Sequence, residues 1–489
     1  MNFGSVRRKR SYLAAIGGVA GASGLAAIGV VLSGPPAVGA NEAARQAVPA
    51  AGSRGGDGGS KDGGSEDGDK GKDHDGDEDG TEYGEEDWAR RVPCDSDLLI
   101  AALVRANAKG VGRLELEPKC TYTLTAFDDD EADQRSGLPA ILGRVSIEGN
   151  GATIVRAANA EPYRIFNVGF GGNLTLRNLT VKGGDTRNEL GGGALLVQEG
   201  GRATIKESNL TLNRSATGGG AISNFGVTRI VGGDTADGKH GTDDKEAEDG
   251  KHDATTEITR NSAVRDGGAI LNVGSLTVDR ARLSDNTSLD DGGALVNSGV
   301  AKLSRTKLDR NHSIEEGGAI AALGAAAIIE LQDSSVTGNS SGDAGGIAND
   351  NGRLYLQRTE VRHNTAADDA GGVQNLVGIV TVDQSRISEN SALVGQAGGF
   401  ANLGGTAVLR DSEVKLNRAF GPAGLGAGIL NIQGDLTLTD TRVVENASTL
   451  PPGGISTDGP ISVDDDSTII KNRPTNCAGN AVDVPNCFG

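Results

Sequence analysis

The sequence predicts an all-β solenoid of stacked coils, and three repeated features support this prediction. An asparagine returns roughly every 26 residues between about residues 190 and 475. An aliphatic residue lies three positions before each asparagine, and a Gly-Gly pair follows most of them. A fixed period of this size is typical of stacked-repeat architectures, in which a repeat buries its apolar face only against its neighbours. The repeated asparagines are Asn213, Asn261, Asn286, Asn311, Asn339, Asn364, Asn390, Asn417, Asn446 and Asn472.

A single repeat shows why the coils are made of strands. In the repeat ending at Asn286, Leu276, Thr277 and Val278 alternate apolar and polar side chains, which is the period of a half-buried strand. Glycine interrupts every unit, so helices are disfavoured and a bend is expected at Gly267-Gly268. At a rung spacing of about 4.8 Å, about fourteen rungs would form a solenoid roughly 65–70 Å long.

The repeated asparagines are predicted to be structural. Identical amides stacked at the rung spacing can hydrogen-bond along the column, as in the asparagine ladders of cross-β structures. Catalytic residues occur once in a chain, whereas these occur in every repeat. A second column follows the Gly-Gly step and lapses to Ala322 in one rung and Thr457 in another; it comprises Asn224, Asn272, Asn297, Asn349, Asn375, Asn402 and Asn431.

The repeat motifs resemble those of a known superfamily. GGGAISNFG and GGAILNVGSLTV are similar to the right-handed parallel β-helix repeats of pectin-lyase-like proteins, and to the GGAI repeats of polymorphic outer-membrane proteins and adhesins. VPCDSDLLIAALVRANAKG, VSIEGNGATIVR and GNLTLRNLTVKGG resemble the start of the same group. The resemblance covers about residues 92–489 and implies a right-handed parallel β-helix. It does not select an activity, because this fold hosts lyases, hydrolases, adhesins and inert spikes.

Residues 1–40 have the pattern of an export signal. A basic cluster at residues 7–10 precedes an apolar stretch at residues 12–32, and small residues before Asn41 offer a cleavage site. Removal of this signal would give a secreted, extracellular protein. If the segment is retained, it is long enough to span a bilayer and would anchor the chain at the cell surface.

Residues 41–91 are predicted to be a disordered linker. Residues 52–87 contain fourteen acidic and four basic residues, a net charge of −10 out of −19 for the chain. Such a segment buries too little apolar surface to become ordered. The acidic balance also argues against a nucleic-acid partner. A second acidic stretch, about residues 233–254, is predicted to be a loop insertion in the β-helix domain, residues 92–489.

The ends of the solenoid are expected to be capped, because they expose core and unpaired strand edges. Residues 95–108 carry an apolar stripe at Leu98, Leu99, Ala102 and Leu103, which predicts a capping helix started by Asp95 or Ser96. Four cysteines lie near the two ends. We predict the pairs Cys94–Cys120 and Cys477–Cys487, although four cysteines allow three connectivities.

No catalytic residue is predicted. The five histidines lie outside the histidine motifs of β-helix galacturonases, pectate lyases and uronan epimerases. Aromatic residues, which line sugar grooves, make up 3% of the chain, and its one tryptophan, Trp88, lies in the linker.

Two sets of acids are candidate calcium ligands. Asp75, Asp77, Asp79 and Glu86 fit the acid spacing of a calcium loop, but in a segment made mostly of Asp, Glu and Gly such a match arises by composition. The second set precedes successive Gly-Gly pairs and should stack into an acidic column. Its carboxylates either splay into water or share bridging cations; the set comprises Asp291, Glu316, Asp343 and Asp369.

These features predict a monomeric, secreted or cell-surface scaffold without a catalytic site. It would act in adhesion or in envelope or extracellular interaction, with carbohydrate as one candidate partner. The alternative is a polysaccharide lyase or hydrolase of the pectin-lyase-like class that uses calcium. The acidic surface disfavours a polyanionic substrate unless calcium bridges the two.

Overall fold

The computed structural model describes residues 90–128, 135–187, 190–233 and 256–489. Within them the chain forms a right-handed parallel β-helix of about 13 turns, which confirms the predicted fold class. The export segment, the linker, the acids at residues 75–86 and nearly all of the acidic insertion lie outside the described residues. The described part of the linker, Arg90–Val92, is the first strand and pairs with Val111–Leu116.

Each rung contributes one strand to each of three faces. First-face strands are Arg90–Val92, Val111–Leu116, Arg144–Arg156, Asn173–Lys182, Arg202–Lys206, Val227–Val231, Ser275–Asp279, Val300–Ser304, Ile328–Gln332, Arg353–Gln357, Ile379–Asp383, Thr406–Arg410, Asp435–Thr439 and Ile461–Val463. Arg144–Arg156 and Asn173–Lys182 run on into the second face, whose other strands are Thr121–Leu124, Asn209–Thr211, Thr256–Thr259, Ala281–Ser284, Lys307–Asp309, Ser335–Thr337, Glu360–Arg362, Arg386–Ser388, Glu413–Lys415, Arg442–Val444 and Thr468–Ile470.

The third face and a series of two-residue strands complete the rungs. Third-face strands are Phe166–Val168, Leu195–Val197, Ile222–Asn224, Ile270–Asn272, Leu295–Asn297, Ile320–Leu323, Ile347–Asp350, Val373–Leu376, Phe400–Leu403, Ile429–Ile432 and Ile455–Thr457. The two-residue strands follow the ladder asparagines: Asp185–Thr186, Arg214–Ser215, Ser262–Ala263, Thr287–Ser288, Ser340–Ser341, Thr365–Ala366, Ser391–Ala392, Arg418–Ala419 and Ala447–Ser448.

The core is a set of apolar columns running along the solenoid axis. On the first face Leu276 pairs with Ala301, which pairs with Ile329, and all three are buried. Alternate residues of the same strands point to solvent, which is the period-two pattern of a sheet with one buried face. No rung buries its apolar side alone, so the stack is the stable unit.

A helix covers the N-terminal end of the core. It spans Ser96–Lys109, and the Asp95 carboxylate accepts hydrogen bonds from the amides of Asp97 (2.8 Å) and Leu98 (3.1 Å). Gly110 ends it in the left-handed region at φ +73°. The predicted stripe needs one correction: Leu98 is exposed, and Ala106, one turn beyond Leu103, is buried in its place. The buried stripe of the helix therefore lies nearer to its C-terminus than the sequence predicts.

Both predicted disulfides are present. Cys94 is bonded to Cys120 and Cys477 to Cys487. The first ties the segment before the helix to the strand Thr121–Leu124, and the second closes the segment after the last rung. Each bond lies at one end of the solenoid, where a rung has a neighbour on one side only.

The first asparagine column is a continuous hydrogen-bonded ladder. The Asn364 side-chain oxygen accepts from the amide and the side-chain nitrogen of Asn339, both at 2.9 Å. Its own nitrogen donates to the Asn390 side chain and to the Val336 carbonyl, both at 3.0 Å. The ladder extends one residue beyond Asn472, which donates to Asn476 at 3.1 Å. Asn472 is therefore an interior member of the ladder.

The second asparagine column has one internal gap. Asn272 donates to Asn297 at 2.6 Å, and Asn349 donates to Asn375 at 2.8 Å. Ala322 pairs with Asn297 on one side and with Asn349 on the other, and has no amide to join them. Among the described residues, the buried side-chain oxygen of Asn349 has no hydrogen-bond partner. An unsatisfied buried acceptor costs stability.

Restoring the missing amide should stabilise the protein. In Ala322→Asn the new side chain would donate to the Asn349 oxygen and accept from Asn297, as elsewhere in the column. We expect a gain of about 1 kcal/mol in the free energy of unfolding, the usual net value of a buried hydrogen bond. Chemical denaturation checks it, with Ala321→Asn on the same strand as the control. A stability equal to or below that of the unaltered chain would contradict the assignment.

The Gly-Gly pairs do not occupy equivalent positions in all rungs. Gly317 donates its amide to the Asp343 carbonyl, and Gly318 donates to the Ala344 carbonyl. Gly317 is thus equivalent to Ala344, although in the sequence it aligns with Gly345. Both residues are left-handed, at φ +65° and +55°. The left-handed site is the first residue of this bend, and the pair shifts by one position between rungs.

Candidate functional site

A groove follows the solenoid axis where the first face turns into the second. It has a volume of about 1590 Å³ and crosses the rungs from Arg305 to Arg442. We call it the axial groove. Each turn begins with a left-handed residue, such as Arg305 at φ +47° or Arg358 at φ +45°. This conformation turns the chain from the first face to the second. The residues on either side of the turn form the two rims of the axial groove, and the residues at the turn form its floor.

The floor of the axial groove is a ladder of hydroxyl groups. The Thr306 amide donates to the Ser334 hydroxyl at 3.1 Å, and the Ser385 amide donates to the Ser412 hydroxyl at 3.1 Å. The sequence analysis missed this ladder because some rungs supply serine and others threonine, so no single residue type repeats. The available signal was a hydroxyl five positions before each ladder asparagine, with Ala281 as the exception; the others are Ser208, Thr256, Thr306, Ser334, Thr359, Ser385, Ser412, Thr441 and Ser467.

The rims carry charges that neighbouring rungs pair with one another. Arg305 lies 2.6 Å from Asp279, and Arg358 lies 2.6 Å from Asp333. On the other rim, Arg386 and Lys415 each lie 3.0 Å from the single carboxylate of Glu413. The axial groove is therefore polar and nearly neutral, in a chain of net charge −19.

The C-terminal end of the axial groove is acidic. The carboxylates of Asp411 and Asp440 share a hydrogen bond, which raises the pKa of Asp440. The Asp440 amide donates to Asp464 at 3.1 Å, and the pKa of Asp464 is lowered by a hydrogen bond from Ser467. Arg442 lines the groove beside this pair.

The predicted acidic column is present beside the left-handed residues of the bend, which are Gly292, Gly317, Ala344 and Ala370. The Glu316 amide donates to the Asp291 carboxylate at 3.0 Å, and the Asp369 amide donates to the Asp343 carboxylate at 3.0 Å. Burial, and then the neighbouring carboxylates, raise the pKa of Asp291 to about 8. Burial also raises the pKa values of Asp266 and Asp369 to about 6. The column is thus half-buried, and the carboxylates of Asp291, Asp343 and Asp369 are each bound to the backbone of the next rung.

The raised pKa values predict a pH dependence of stability. An aspartate titrates near pH 3.9 when unfolded, so a folded pKa of about 8 at Asp291 favours the protonated, folded form. The contribution of Asp291 to the free energy of unfolding is complete below about pH 4, and it is lost as the pH rises through about 8. We expect Asp291→Asn to flatten this loss and to add about 1–2 kcal/mol at pH 8. Thermal melts from pH 4 to 8, with exposed Asp435→Asn as control, test this; equal slopes would contradict it.

Calcium binding by these acids stays a prediction. The described residues contain no group of three or more His, Cys, Asp or Glu side chains placed to hold a metal ion. Asp291, Glu316, Asp343 and Asp369 lie in one line, and their oxygens face amide donors of adjoining rungs. The other predicted set, Asp75, Asp77, Asp79 and Glu86, lies outside the described residues.

Two histidines of the described residues lie in exposed bends. The Nδ1 atom of His312 lies 2.9 Å from the Ser340 hydroxyl, and the Nε2 atom of His363 lies 3.5 Å from Glu389. Each partner belongs to the next rung. Neither histidine lines the axial groove.

A second cavity of about 600 Å³ lies near the C-terminal end. Arg418, Ala447 and Arg473 occupy successive rungs, so the alanine leaves a gap between two guanidinium groups. The Arg418 guanidinium lies 6.0 Å from the centre of the exposed Phe420 ring. Lys471 adds a third cation, 3.8 Å from Glu445. This end of the chain therefore presents a basic, partly apolar surface.

Comparisons with known proteins add little to these observations. No family model matches the chain, and no curated protein matches it. Among solved structures it is similar to the crystal structure of PfbA, a surface adhesin of Streptococcus pneumoniae, with a TM-score of 0.30 and 11% sequence identity. The alignment covers 75% of this chain and 85% of that chain. At this TM-score the likeness carries no argument about function.

No helix of the described residues is long and apolar enough to cross a membrane. The candidate span at residues 12–32 lies outside those residues.

Proposed function

We propose that this chain is a secreted or cell-surface scaffold of the pectin-lyase-like class, with GGAI-type repeats. Its axial groove binds an extended polysaccharide without cleaving it. The observation that carries this proposal is the repetition of the groove: charged side chains on its rims recur from rung to rung, above a floor of buried hydroxyl groups that are bonded to the backbone. A surface that repeats at a fixed step fits a ligand that also repeats. Two disulfides at the ends of the solenoid support an exported location.

The charge of the axial groove favours a neutral polymer. Three of its arginines are engaged by carboxylates of neighbouring rungs: Arg305 with Asp279, Arg358 with Asp333 and Arg386 with Glu413. The residues that line it include six cations and five acids, an excess of one positive charge that is small for a polyanion, and the chain as a whole is acidic. Binding would then depend on hydrogen bonds from many weak, equivalent positions rather than on one deep subsite.

A polysaccharide panel tests this proposal. Neutral and acidic polymers are incubated with the pure protein, with and without calcium, and both binding and the release of new chain ends are measured. We expect retention of a neutral polymer and no new chain ends. Arg358→Ala and Arg386→Ala should each weaken binding by about fivefold, the loss of roughly one hydrogen bond. Arg229→Ala, an exposed first-face residue outside the groove, should not. Retention unaffected by both groove variants would refute the proposal.

A hydrolase is the second candidate, and the Asp411–Asp440 pair is the observation that favours it. Glycoside hydrolases use two carboxylates, one as acid and one as base or nucleophile, and Asp411 and Asp440 are carboxylates of adjoining rungs that line the groove. If the panel releases chain ends, Asp440→Asn should abolish the release and leave retention unchanged. Release that survives both Asp411→Asn and Asp440→Asn would place the chemistry elsewhere.

Calcium binding by the acidic column is a separate prediction. Divalent cations bind through oxygen ligands and stabilise the folded state by mass action. We expect millimolar calcium to raise the melting temperature of the full chain, and magnesium to do less because it gives up its water reluctantly. The variant Asp343→Asn with Asp369→Asn is the matched control, since it keeps all other acids. If sodium chloride of equal ionic strength reproduces the whole effect, the column is only a solvated edge.

A further inference from the structure

One column of side chains changes character in the last rungs of the solenoid. It consists of the residue that follows each ladder asparagine, and backbone pairing aligns it rung by rung from Arg214 to Arg473. The last three rungs supply Arg418, Ala447 and Arg473. Residues that only support the fold recur from rung to rung, so this break in the pattern indicates a local role. The six rungs before the break supply a hydroxyl group or an imidazole: Ser262, Thr287, His312, Ser340, Thr365 and Ser391.

Ala447 leaves a gap between the two arginines. Arg418 and Arg473 are both exposed and lie two rungs apart, about 10 Å between their backbones. The alanine between them has no side chain beyond its Cβ, and it lines the cavity of about 600 Å³. The buried ladder residues Asn446 and Asn472 line the same cavity, and their side chains are bonded within the ladder. Two guanidinium groups can therefore contact one group placed above Ala447 from opposite sides.

These two arginines differ from those of the axial groove. Three arginines of the groove are held by carboxylates of neighbouring rungs. Within the described residues, neither Arg418 nor Arg473 forms a salt bridge. The cavity is lined by these two cations and Lys471 against one acid, Glu445, an excess of two positive charges in a chain of net charge −19. Guanidinium groups without a carboxylate partner attract an oxyanion and can bind it through two parallel N–H groups.

An apolar ring lies beside these cations. Phe420 lines the cavity, is 58% exposed, and has its ring centre 6.0 Å from the Arg418 guanidinium. Leu416, which is 37% exposed, lines the cavity as well. The face of a sugar ring presents C–H groups, which pack well on the negative face of an aromatic ring. A pair of cations next to an exposed aromatic face therefore fits a sugar that carries an oxyanion.

We propose that this cavity binds an acidic sugar, meaning a pyranose ring that carries one carboxylate or phosphate group. The oxyanion lies above Ala447 between Arg418 and Arg473, and the sugar ring packs on Phe420. A single acidic sugar fits better than a run of them, because the chain as a whole repels a polyanion.

The cavity and the axial groove are separate sites. The strand Glu413–Lys415 lies between them, because its two end residues line the groove, whereas the next residue, Leu416, lines the cavity. Arg358→Ala, which should weaken retention of a neutral polymer by the groove, should leave binding of an acidic sugar unchanged. Arg418→Gln should weaken binding of the acidic sugar and leave retention of the neutral polymer unchanged.

Isothermal titration calorimetry of the full chain at low ionic strength tests the class of ligand. The probes are glucuronate and glucose-6-phosphate, with glucose as the control for the ring and inorganic phosphate as the control for the anion. We expect at least one acidic sugar to bind with a dissociation constant on the order of 1 mM, the usual strength for a ligand of this size. Each control should bind at least about tenfold more weakly, because it lacks one of the two contacts. Failure of both acidic sugars to bind, or a control that binds as tightly as the tighter of them, would overturn the proposal.

Substitutions of the arginines test the position of the oxyanion. Arg418→Gln and Arg473→Gln should each weaken binding of the acidic sugar by about tenfold, the loss of a charge-assisted hydrogen bond. Arg214→Gln is the matched control, because it removes an exposed arginine from the N-terminal end of the same column. Equal weakening by Arg214→Gln would mean that only net charge matters, and it would overturn the proposal.

Two further substitutions test the gap and the ring without changing any charge. Ala447→Leu fills the gap between the arginines and should also weaken binding of the acidic sugar by about tenfold. Phe420→Ala should weaken binding of the acidic sugar and leave that of inorganic phosphate unchanged. An unchanged melting temperature confirms that each variant is folded. Full binding of the acidic sugar by folded Ala447→Leu would contradict the proposed position of the oxyanion.

Discussion

Gly317→Ala should destabilise the β-helix by about 3 kcal/mol or more, because it adds a Cβ to a left-handed residue packed against backbone. Gly317 is left-handed at φ +65°, a conformation that costs a residue with a Cβ about 1–2 kcal/mol. A Cβ there would also lie 2.2 Å from the Ile320 carbonyl oxygen, which belongs to the backbone and cannot turn aside. The third-face strand after it would have to shift. A large loss in the urea midpoint is the expected result.

The adjoining rung supplies a matched control for this substitution. Ala344 occupies the equivalent position, is left-handed at φ +55°, and already carries a Cβ. Ala344→Gly should change stability by less than about 1 kcal/mol, because relief of strain and added freedom of the unfolded chain nearly cancel. A loss below 1 kcal/mol in Gly317→Ala would mean that the bend relaxes at little cost, contrary to the close approach described above.

Asn364→Ala should cost about 3 kcal/mol. The substitution removes the acceptor of two Asn339 donors and the donor to the Val336 carbonyl and the Asn390 oxygen. All of these groups are buried, and each one left without a partner costs about 1–3 kcal/mol before local relaxation. Equilibrium urea unfolding measures the loss.

The end of the same ladder gives the comparison. Asn476 accepts from Asn472 and donates to the Phe488 carbonyl, but it is half-buried, so water can replace its bonds. Asn476→Ala should therefore cost less than about 1 kcal/mol. Asn472→Ala should resemble Asn364→Ala, because Asn472 has partners on both sides. Equal and negligible losses at Asn364 and Asn476 would rule out a bonded ladder.

Repetition explains which features the sequence reveals. The asparagine columns and the fold follow from a period that any rung shows, and the cysteines at the ends follow from the need for caps. The Gly-Gly pairs predict the wrong alignment of two rungs, because Gly317 and Gly345 are both the first glycine of a pair but occupy different positions of the bend. Only the backbone hydrogen bonds show this shift of one residue. The hydroxyl ladder is hidden because Thr306 and Ser334 are equivalent in chemistry and different in name.

Relations between rungs explain what the sequence does not reveal. The axial groove exists because residues 25 to 29 positions apart lie side by side, as Arg358 does with Asp333 and Arg386 with Glu413. The raised pKa of Asp291 depends on burial by the bend and on Glu316 in the next rung. None of these relations is visible within one repeat.

The asparagine ladder gives the solenoid a direction. From Asn213 to Asn472, each ladder side chain donates to the asparagine of the next rung, and its oxygen accepts from the preceding rung. The two ends are therefore chemically different, like the plus and minus ends of a polar filament. A completed rung offers the next one two N–H groups, from its backbone and from its amide, and the arriving asparagine oxygen accepts both. The last acceptor of the ladder is Asn476, beside the disulfide of Cys477, so the C-terminal end is closed by a residue that offers no further asparagine amide.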